Sequence, residues 1–188
     1  MLNEKERIDI ILVKKKYFET RQKAKYEIEK GNVYVDGKQI KKASKIINDV
    51  SNIEIKGETL KYVSRGGLKL EKAINKFEIA LKDRICADIG ASTGGFTDCM
   101  LQNGAKKVYS IDVGHGQLAE QLLNNKKIIN LEGTNVKDLE SNSIEKLDFI
   151  SSDVSFISEI QVLPKIYEML KIKGKAVILI KPQFEAGK

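Results

Sequence analysis

The chain has no tryptophan, two prolines, two cysteines and one histidine in 188 residues. Each scarcity excludes something. A structural zinc site takes about four Cys/His ligands, and Cys86, Cys99 and His115 cannot supply them, so no metal is expected. Neither cysteine belongs to a CxxC pair, and both fall in apolar stretches. Buried thiols of a cytoplasmic protein are therefore expected. Two prolines suit regular elements with few rigid loops. No apolar run approaches the ~18 residues of a membrane span. The segment Met1-Leu-Asn-Glu-Lys-Glu-Arg meets charges before any apolar signal core forms. No membrane partner is expected.

The composition allows a packed core. Hydrophobic residues make up 41% and charged residues 31%, the latter of both signs, which argues against wholesale disorder. The net charge is +7. Residues 1–62 hold 15 Lys/Arg against 10 Asp/Glu, so most of the excess lies in the first third. That suits a polyanionic partner such as nucleic acid. A solubilising lysine-rich surface fits the same numbers.

Patterning divides the chain. Ile8, Ile11, Leu12 and Val13 form a helical stripe ahead of Lys14-Lys15-Lys16. Thr20 can cap a second helix that ends at Gly31-Asn32. Val33-Tyr-Val-Asp-Gly and Ile53-Glu-Ile-Lys-Gly read as strands running into turns. Residues 1–57 are thus a small α+β domain, 58–65 a linker, and 66–188 a second domain. That domain opens with a helix over 66–80 whose apolar side carries Leu68, Leu70, Ala73, Ile74 and Phe77. Apolar runs at 85–89, 108–111, 128–131, 149–151 and 176–180 then alternate with helical stretches near 95–103, 117–124, 138–146 and 159–171. Such alternation predicts an α/β fold: a doubly wound parallel sheet with helices on both faces.

The strongest motif is Asp88-Ile-Gly-Ala-Ser-Thr-Gly-Gly-Phe-Thr-Asp98, between the first strand of this sheet and a helix. Gly90, Gly94 and Gly95 allow a tight turn and a close approach to a ligand at the carboxyl ends of the strands. The spacing is not GxGxxG, which argues against a pyrophosphate loop and for one that holds an amino-acid-bearing nucleoside. Asp88 would orient the loop or hold the amino-acid portion. Ser92, Thr93 and Phe96 belong to the same loop. Asp112 ends the second strand about 20 residues on, where an acid suits a ribose diol. Asn135, in Thr134-Asn135-Val136, would flank the base. The competing reading makes Gly94-Gly95 a packing device and Asp112 a surface turn residue.

Three polar residues fall where such a fold places chemistry. Lys69 lies early in the 66–80 helix, Asp153 follows the fourth strand, and Lys181 follows the fifth, ahead of Pro182. Two lysines around one carboxylate suit an attack by a ribose hydroxyl. A desolvated lysine, or one beside a second cation, gives up its proton more readily and can then act as a base. The carboxylate opposes that change but fixes the lysine's orientation. Solvated surface lysines are the plainer reading, and favoured for Lys69 taken alone.

Four segments carry a family resemblance: Tyr62-Val-Ser-Arg-Gly-Gly-Leu-Lys-Leu-Glu, the Asp88–Asp98 loop, Asp153-Val-Ser-Phe-Ile-Ser and Ile180-Lys-Pro-Gln-Phe-Glu-Ala-Gly-Lys. Together they resemble the TlyA family, known both as hemolysin and as ribosomal-RNA 2′-O-methyltransferase. Residues 5–56 are similar to the RNA-binding domain of ribosomal small-subunit protein four. The resemblance implies an FtsJ-like, Rossmann-like methyltransferase sheet behind a small RNA-binding domain, with S-adenosylmethionine as cofactor. It also implies a Lys-Asp-Lys-Glu catalytic set, of which Lys69, Asp153 and Lys181 match the first three. The implied substrate is the 2′-hydroxyl of cytidine in ribosomal RNA, free or in ribosomal subunits. Lys14, Lys15, Lys16, Arg21, Lys23, Lys25, Lys41 and Lys42 are the expected phosphate contacts. The family's glutamate lies on a later strand, and Glu185 does not fill its place. Seven strands are implied, so a sheet truncated after the fifth is expected, with 176–180 as an uncovered edge.

Three other functions compete. A non-catalytic RNA-binding protein would keep the N-terminal domain's role alone. A membrane-active hemolysin would need an inserting segment. A nicotinamide-dependent dehydrogenase would need a different glycine spacing.

Overall fold

The computed structural model describes residues 5–48, 51–57, 60–140 and 142–186. The chain forms two compact units, Met1–Arg65 and Gly66–Lys188. Linker positions 58 and 59 lie outside the described residues.

The first unit runs β1 (Lys5–Arg7), α1 (Ile8–Lys14), α2 (Arg21–Lys30), β2 (Val33–Val35), β3 (Lys38–Gln39), β4 (Ile46–Asn48) and β5 (Ile53–Ile55). Thr20 caps α2, its hydroxyl accepting the Lys23 N–H at 3.1 Å, and Gly31 ends the helix. Ile8, Ile11, Leu12, Ala24, Ile28 and Val33 share one buried cluster. The short strands β1, β3 and β4 have no apolar alternation to betray them; they exist because β1 pairs with β4 and β3 with β2. Asp9 is fully buried and meets Arg7 at 3.0 Å and Arg21 at 2.8 Å. Burial pushes the Asp9 carboxyl up, but hydrogen bonds from Arg7 and Arg21 outweigh it and hold the group below the ordinary carboxylate range.

The second unit runs α3 (Gly66–Lys76), β6 (Ile85–Ile89), α4 (Gly95–Gln102), β7 (Lys107–Ile111), α5 (Glu120–Leu123), β8 (Ile128–Leu131), β9 (Leu147–Ser152), α6 (Leu163–Met169), β10 (Leu170–Ile178) and α7 (Pro182–Glu185), with 3-10 turns at Val136–Asp138 and Glu159–Gln161. The five strands are parallel and ordered β10-β9-β6-β7-β8. The chain winds one way from β6 and then returns to its other side, so the switch point lies between β6 and β9, where α/β proteins bind ligands. Ala87, Ile89, Tyr109, Ile111 and Ile150 face one core with Val162, Ile166 and Met169. The alternate residues Asp88, Ser110 and Ser151 bond to one another or to Thr97 of α4 on the opposite face, and α3 packs on α4. As expected, both faces are covered. β10 is an edge, also as expected.

Several boundaries differ from the sequence reading, each for a local reason. α3 stops at Lys76, and Phe77 stands 67% exposed instead of completing the apolar face. α5 is shorter than 117–124 because the Gly116 and Leu118 N–H groups donate to Glu132 and the Ala119 N–H to the Thr93 carbonyl. No helix forms over 138–146 among the described residues: the Ser143 hydroxyl donates to the Glu140 carbonyl at 2.7 Å, a local bond that competes with helix. The helix near 159–171 is a 3-10 turn followed by α6. β10 covers 170–178, its register shifting between Leu170 and Lys175, and Ile180 lies beyond it, exposed.

Candidate active site

A cleft of about 510 Å³ opens at the carboxyl ends of β6, β7 and β9, within the usual range for small-molecule sites. Gly90, Ser92, Asp112, Asn135, Asp153 and Phe156 are among the residues that line it. Asp112 organises one wall. Its Oδ2 accepts the Ser92 N–H at 2.8 Å and its Oδ1 the Gly114 N–H at 2.7 Å. Thr134 and Val136 join Asn135 on the same wall.

Gly90 turns tightly and lines the cleft, and two of the glycines also let parts of the chain approach one another closely. At Gly90 φ is +79°, and a Cβ there would stand 2.9 Å from the Asp153 carbonyl oxygen. At Gly94 φ is +87°, and a Cβ would strike Leu118 and Leu122. These close approaches are to the protein's own chain, bringing the β6 and β9 loops together and seating α4. Thr93, Gly94, Gly95 and Phe96 do not line the cleft. Asp88 points away from it, 1% exposed. Its Oδ2 accepts both the N–H and the hydroxyl of Thr97, each at 2.8 Å. Asp88 thus fastens the loop to α4. Burial pushes its carboxyl up to about 7, against the hydrogen bonds from Thr97 and Ser151.

Asp153 lines the opposite wall and brings together the three residues singled out for chemistry. Lys69 Nζ stands 3.0 Å from Asp153 Oδ2, and Lys181 Nζ 2.6 Å from Asp153 Oδ1. The second pair is a charge contact and not a directed hydrogen bond, because Lys181 aims its N–H groups at the Val154 carbonyl and the Ser155 hydroxyl, both at 2.8 Å. The Lys181 side chain is 18% exposed and that of Lys69 51%, so the anchored member is Lys181.

A supporting network had no signal in the sequence. Glu185 accepts the Ser158 hydroxyl and, at 2.8 Å, the Glu159 N–H. Buried Glu159 accepts the Ser152 hydroxyl at 2.9 Å. Burial raises the Glu159 carboxyl above its ordinary range, against the hydrogen bond from Ser152. These bonds hold α7, and the Lys181 before it, against the β9 loop. Such pairings are long-range and leave no periodicity to read.

On the first unit, Arg21 is committed to Asp9, Lys14 to Glu6 at 2.8 Å, and Lys23 faces Glu19 at 3.7 Å. Lys15, Lys16, Lys25, Lys41 and Lys42 are exposed. Among the described residues no group of three or more His, Cys, Asp or Glu could hold a metal ion, and no helix is long and apolar enough to cross a membrane.

Known proteins resemble this chain. Residues 62–188 match the FtsJ-like methyltransferase family, and residues 6–50 match the S4 domain. A Bacillus subtilis protein provisionally designated rRNA methyltransferase YqxC is 45% identical over 190 aligned residues, covering 100% of this chain and 68% of its own. The 16S/23S rRNA (cytidine-2′-O)-methyltransferase TlyA of Mycobacterium tuberculosis is 39% identical, with 97% of this chain and 69% of that one covered. A solved structure from Streptococcus thermophilus that carries a hemolysin designation superposes with a TM-score of 0.72 at 46% identity, over 98% of this chain and 68% of that one. With its S4 domain and the match over residues 62–188, the chain belongs to the FtsJ-like methyltransferase family and has TlyA among its relatives.

Proposed function

We propose that this chain transfers a methyl group from S-adenosylmethionine to a ribose 2′-hydroxyl, that of a cytidine, in ribosomal RNA. The observation that carries the reading is Lys181, anchored beside Asp153, which lines one cleft with Asp112. The cleft fits the cofactor: Asp112 would take the ribose diol, Gly90 and Ser92 the chain between ribose and amino acid, and Asn135 the adenine edge. Bound there, S-adenosylmethionine supplies an electrophilic methyl carbon whose bonding pair leaves with sulfur. Asp88, Thr93, Gly94, Gly95 and Phe96 act indirectly, by shaping the loop.

The hydroxyl is held between the two lysines and loses its proton as its oxygen meets the methyl carbon. A neutral lysine has two N–H donors and one lone pair. Lys181 Nζ donates to the Val154 carbonyl and the Ser155 hydroxyl and, at a longer 3.4 Å, to the Asp153 carbonyl; as a free amine it would keep the two shorter bonds and offer its lone pair to that proton. Asp153 then faces the resulting ammonium, and Lys69 balances the carboxylate from the other side. The exposed Lys15, Lys16, Lys25, Lys41 and Lys42 contact RNA phosphates; Lys14, Arg21 and Lys23 hold the unit together and contribute field. The test is transfer of labelled methyl to unmodified ribosomal RNA and to isolated subunits. Label in the ribose of one cytidine supports the reading, and label on a base or in no RNA sinks it.

A further inference from the structure

The parallel strands of the second unit are all entered through basic residues. Arg84 precedes β6, Lys106-Lys107 lead into β7, Lys126-Lys127 precede β8 and Lys146 precedes β9. Lys171 and Lys173 lie in the irregular start of β10. These residues are scattered along the sequence, and parallel pairing sets them side by side at one end of the sheet. The Lys106 N–H donates to the Arg84 carbonyl and the Val108 N–H to the Lys127 carbonyl, each at 2.8 Å. The other ends of the strands run into acids: Asp112 follows β7, Glu132 follows β8 and Asp153 follows β9. Residues 66–188 hold 17 Lys/Arg and 16 Asp/Glu, so the unit is nearly neutral as a whole but polarised along its strands.

Internal pairing does not neutralise the basic end. Glu145 takes Lys107, and Asp148 takes Lys171 and, at 3.8 Å, Arg84. Lys146 donates to an uncharged acceptor, the Glu168 carbonyl, at 2.6 Å. Lys82, Lys106, Lys126, Lys127 and Lys173 are exposed and have no ion pair among the described residues; Asp83 is an exposed acid beside them. Five strands spaced by about 4.8 Å make this end about 19 Å across, and strands of five residues set it about 17 Å from the cleft.

We propose that this lysine end is a second RNA-docking surface, which takes the phosphates of a segment other than the one whose nucleotide enters the cleft; the inference rests on the reading of ribosomal RNA as the substrate. Lysines spread over an open face are separate point charges, suited to the spaced phosphates of a nucleic-acid backbone and not to one small anion. The acids at the cleft end attract a polyanion weakly, and the lysine end supplies the pull that holds a folded RNA against this unit.

The test uses the full chain with Lys106→Ala, Lys126→Ala and Lys127→Ala combined, none of which lines the cleft, and the matching triple arginine variant. Binding to deproteinised ribosomal RNA is measured against salt, with methyl transfer and melting temperature alongside. In the alanine variant the slope of log K against log salt should become shallower by about one for each lysine that meets a phosphate, and affinity at about 0.15 M salt should fall about ten-fold or more. KM for RNA should rise in step, while kcat, S-adenosylmethionine affinity and melting temperature hold. The arginine variant should keep the native slope. An unchanged slope in the alanine variant overturns the proposal and leaves these lysines as guards of the apolar strands against aggregation. Unchanged binding to free RNA with weakened binding to intact subunits also overturns it, in favour of an acidic protein partner. If the unaltered chain transfers no methyl, the enzyme reading fails separately; the salt slope still decides the surface, because it needs no turnover.

Discussion

Asp112 reaches back across the cleft to Ser92, accepting its backbone N–H at 2.8 Å, and accepts the Gly114 N–H at 2.7 Å with its other oxygen. One carboxylate therefore shapes two loops and still faces the cleft. Asp112→Ala removes both bonds and the acceptor proposed for the ribose. Hydrogen bonds to a charged group are worth about 1.5–3 kcal/mol each. Calorimetry should show S-adenosylmethionine affinity falling at least ten-fold, or about 1.4 kcal/mol. Unchanged affinity would remove Asp112 from the cofactor site.

Lys181 should separate chemistry from binding. Lys181→Met keeps much of the side chain's length and loses the amine. Transfer to RNA should fall by about 100-fold or more, the usual scale for a lost acid–base group, while cofactor affinity holds. Lys181→Arg should not restore transfer, because a guanidinium stays protonated. Activity in the arginine variant would deny the lysine its role as proton acceptor.

Asp88 predicts a pH dependence of stability. Its folded carboxyl titrates near 7, against about 3.9 in an unfolded chain. Between those values the folded state holds a proton that the unfolded state has released. Stability contributed by this group is therefore complete below about pH 4, declines as pH rises and levels off above about 7. Asp88→Asn does not titrate. The melting temperature of the native chain should fall relative to this variant between about pH 4 and pH 7; parallel profiles would contradict the assignment.

Asp9 predicts the opposite sign. Its folded carboxyl lies below the ordinary range, so its stabilisation is present above about pH 4 and lost as pH falls through the folded value. Arg21→Ala leaves the buried carboxylate with Arg7 alone. About 1–3 kcal/mol should be lost, less than for a fully buried pair because the Arg21 side chain is 51% exposed. Denaturant unfolding measures this, and a variant as stable as the native chain would make Arg21 a surface residue after all.

Lys41 and Lys42 test the RNA face. Lys41→Ala with Lys42→Ala should weaken RNA binding without changing the melting temperature. The slope of log K against log salt should become shallower by about one for each phosphate that a lysine no longer neutralises. An unaltered slope would mean that RNA docks elsewhere.

The division of the chain could be read from its periodicities. Apolar runs of four or five residues alternating with amphipathic stretches mark a parallel sheet, and β6, β7 and β8 fall close to where the runs lie. Capping residues such as Thr20 announce themselves because their bonds are local. Boundaries failed where a distant group took over a backbone amide. Nothing within 117–124 shows that Glu132 will claim the N–H of Leu118, and nothing in Phe77 shows that the helix ends one residue before it.

The site divides in the same way. Residue type and spacing singled out Lys69, Asp153, Lys181 and Asp112, and recurring motifs placed the chain in a family. Tertiary structure alone decided that Lys69 and Lys181 meet the same carboxylate from opposite sides, although 84 residues separate Lys69 from Asp153. It turned Asp88 inward to Thr97, spent Arg21 on Asp9 and left Phe156 bare at the cleft mouth. Sequence determines what is local: which residues favour a helix, a strand or a turn, and which carry usable chemistry. Which polar group of the cleft meets which partner depends on how β9 registers beside β6 and β10 beside β9, and that is set by the packing of the whole sheet.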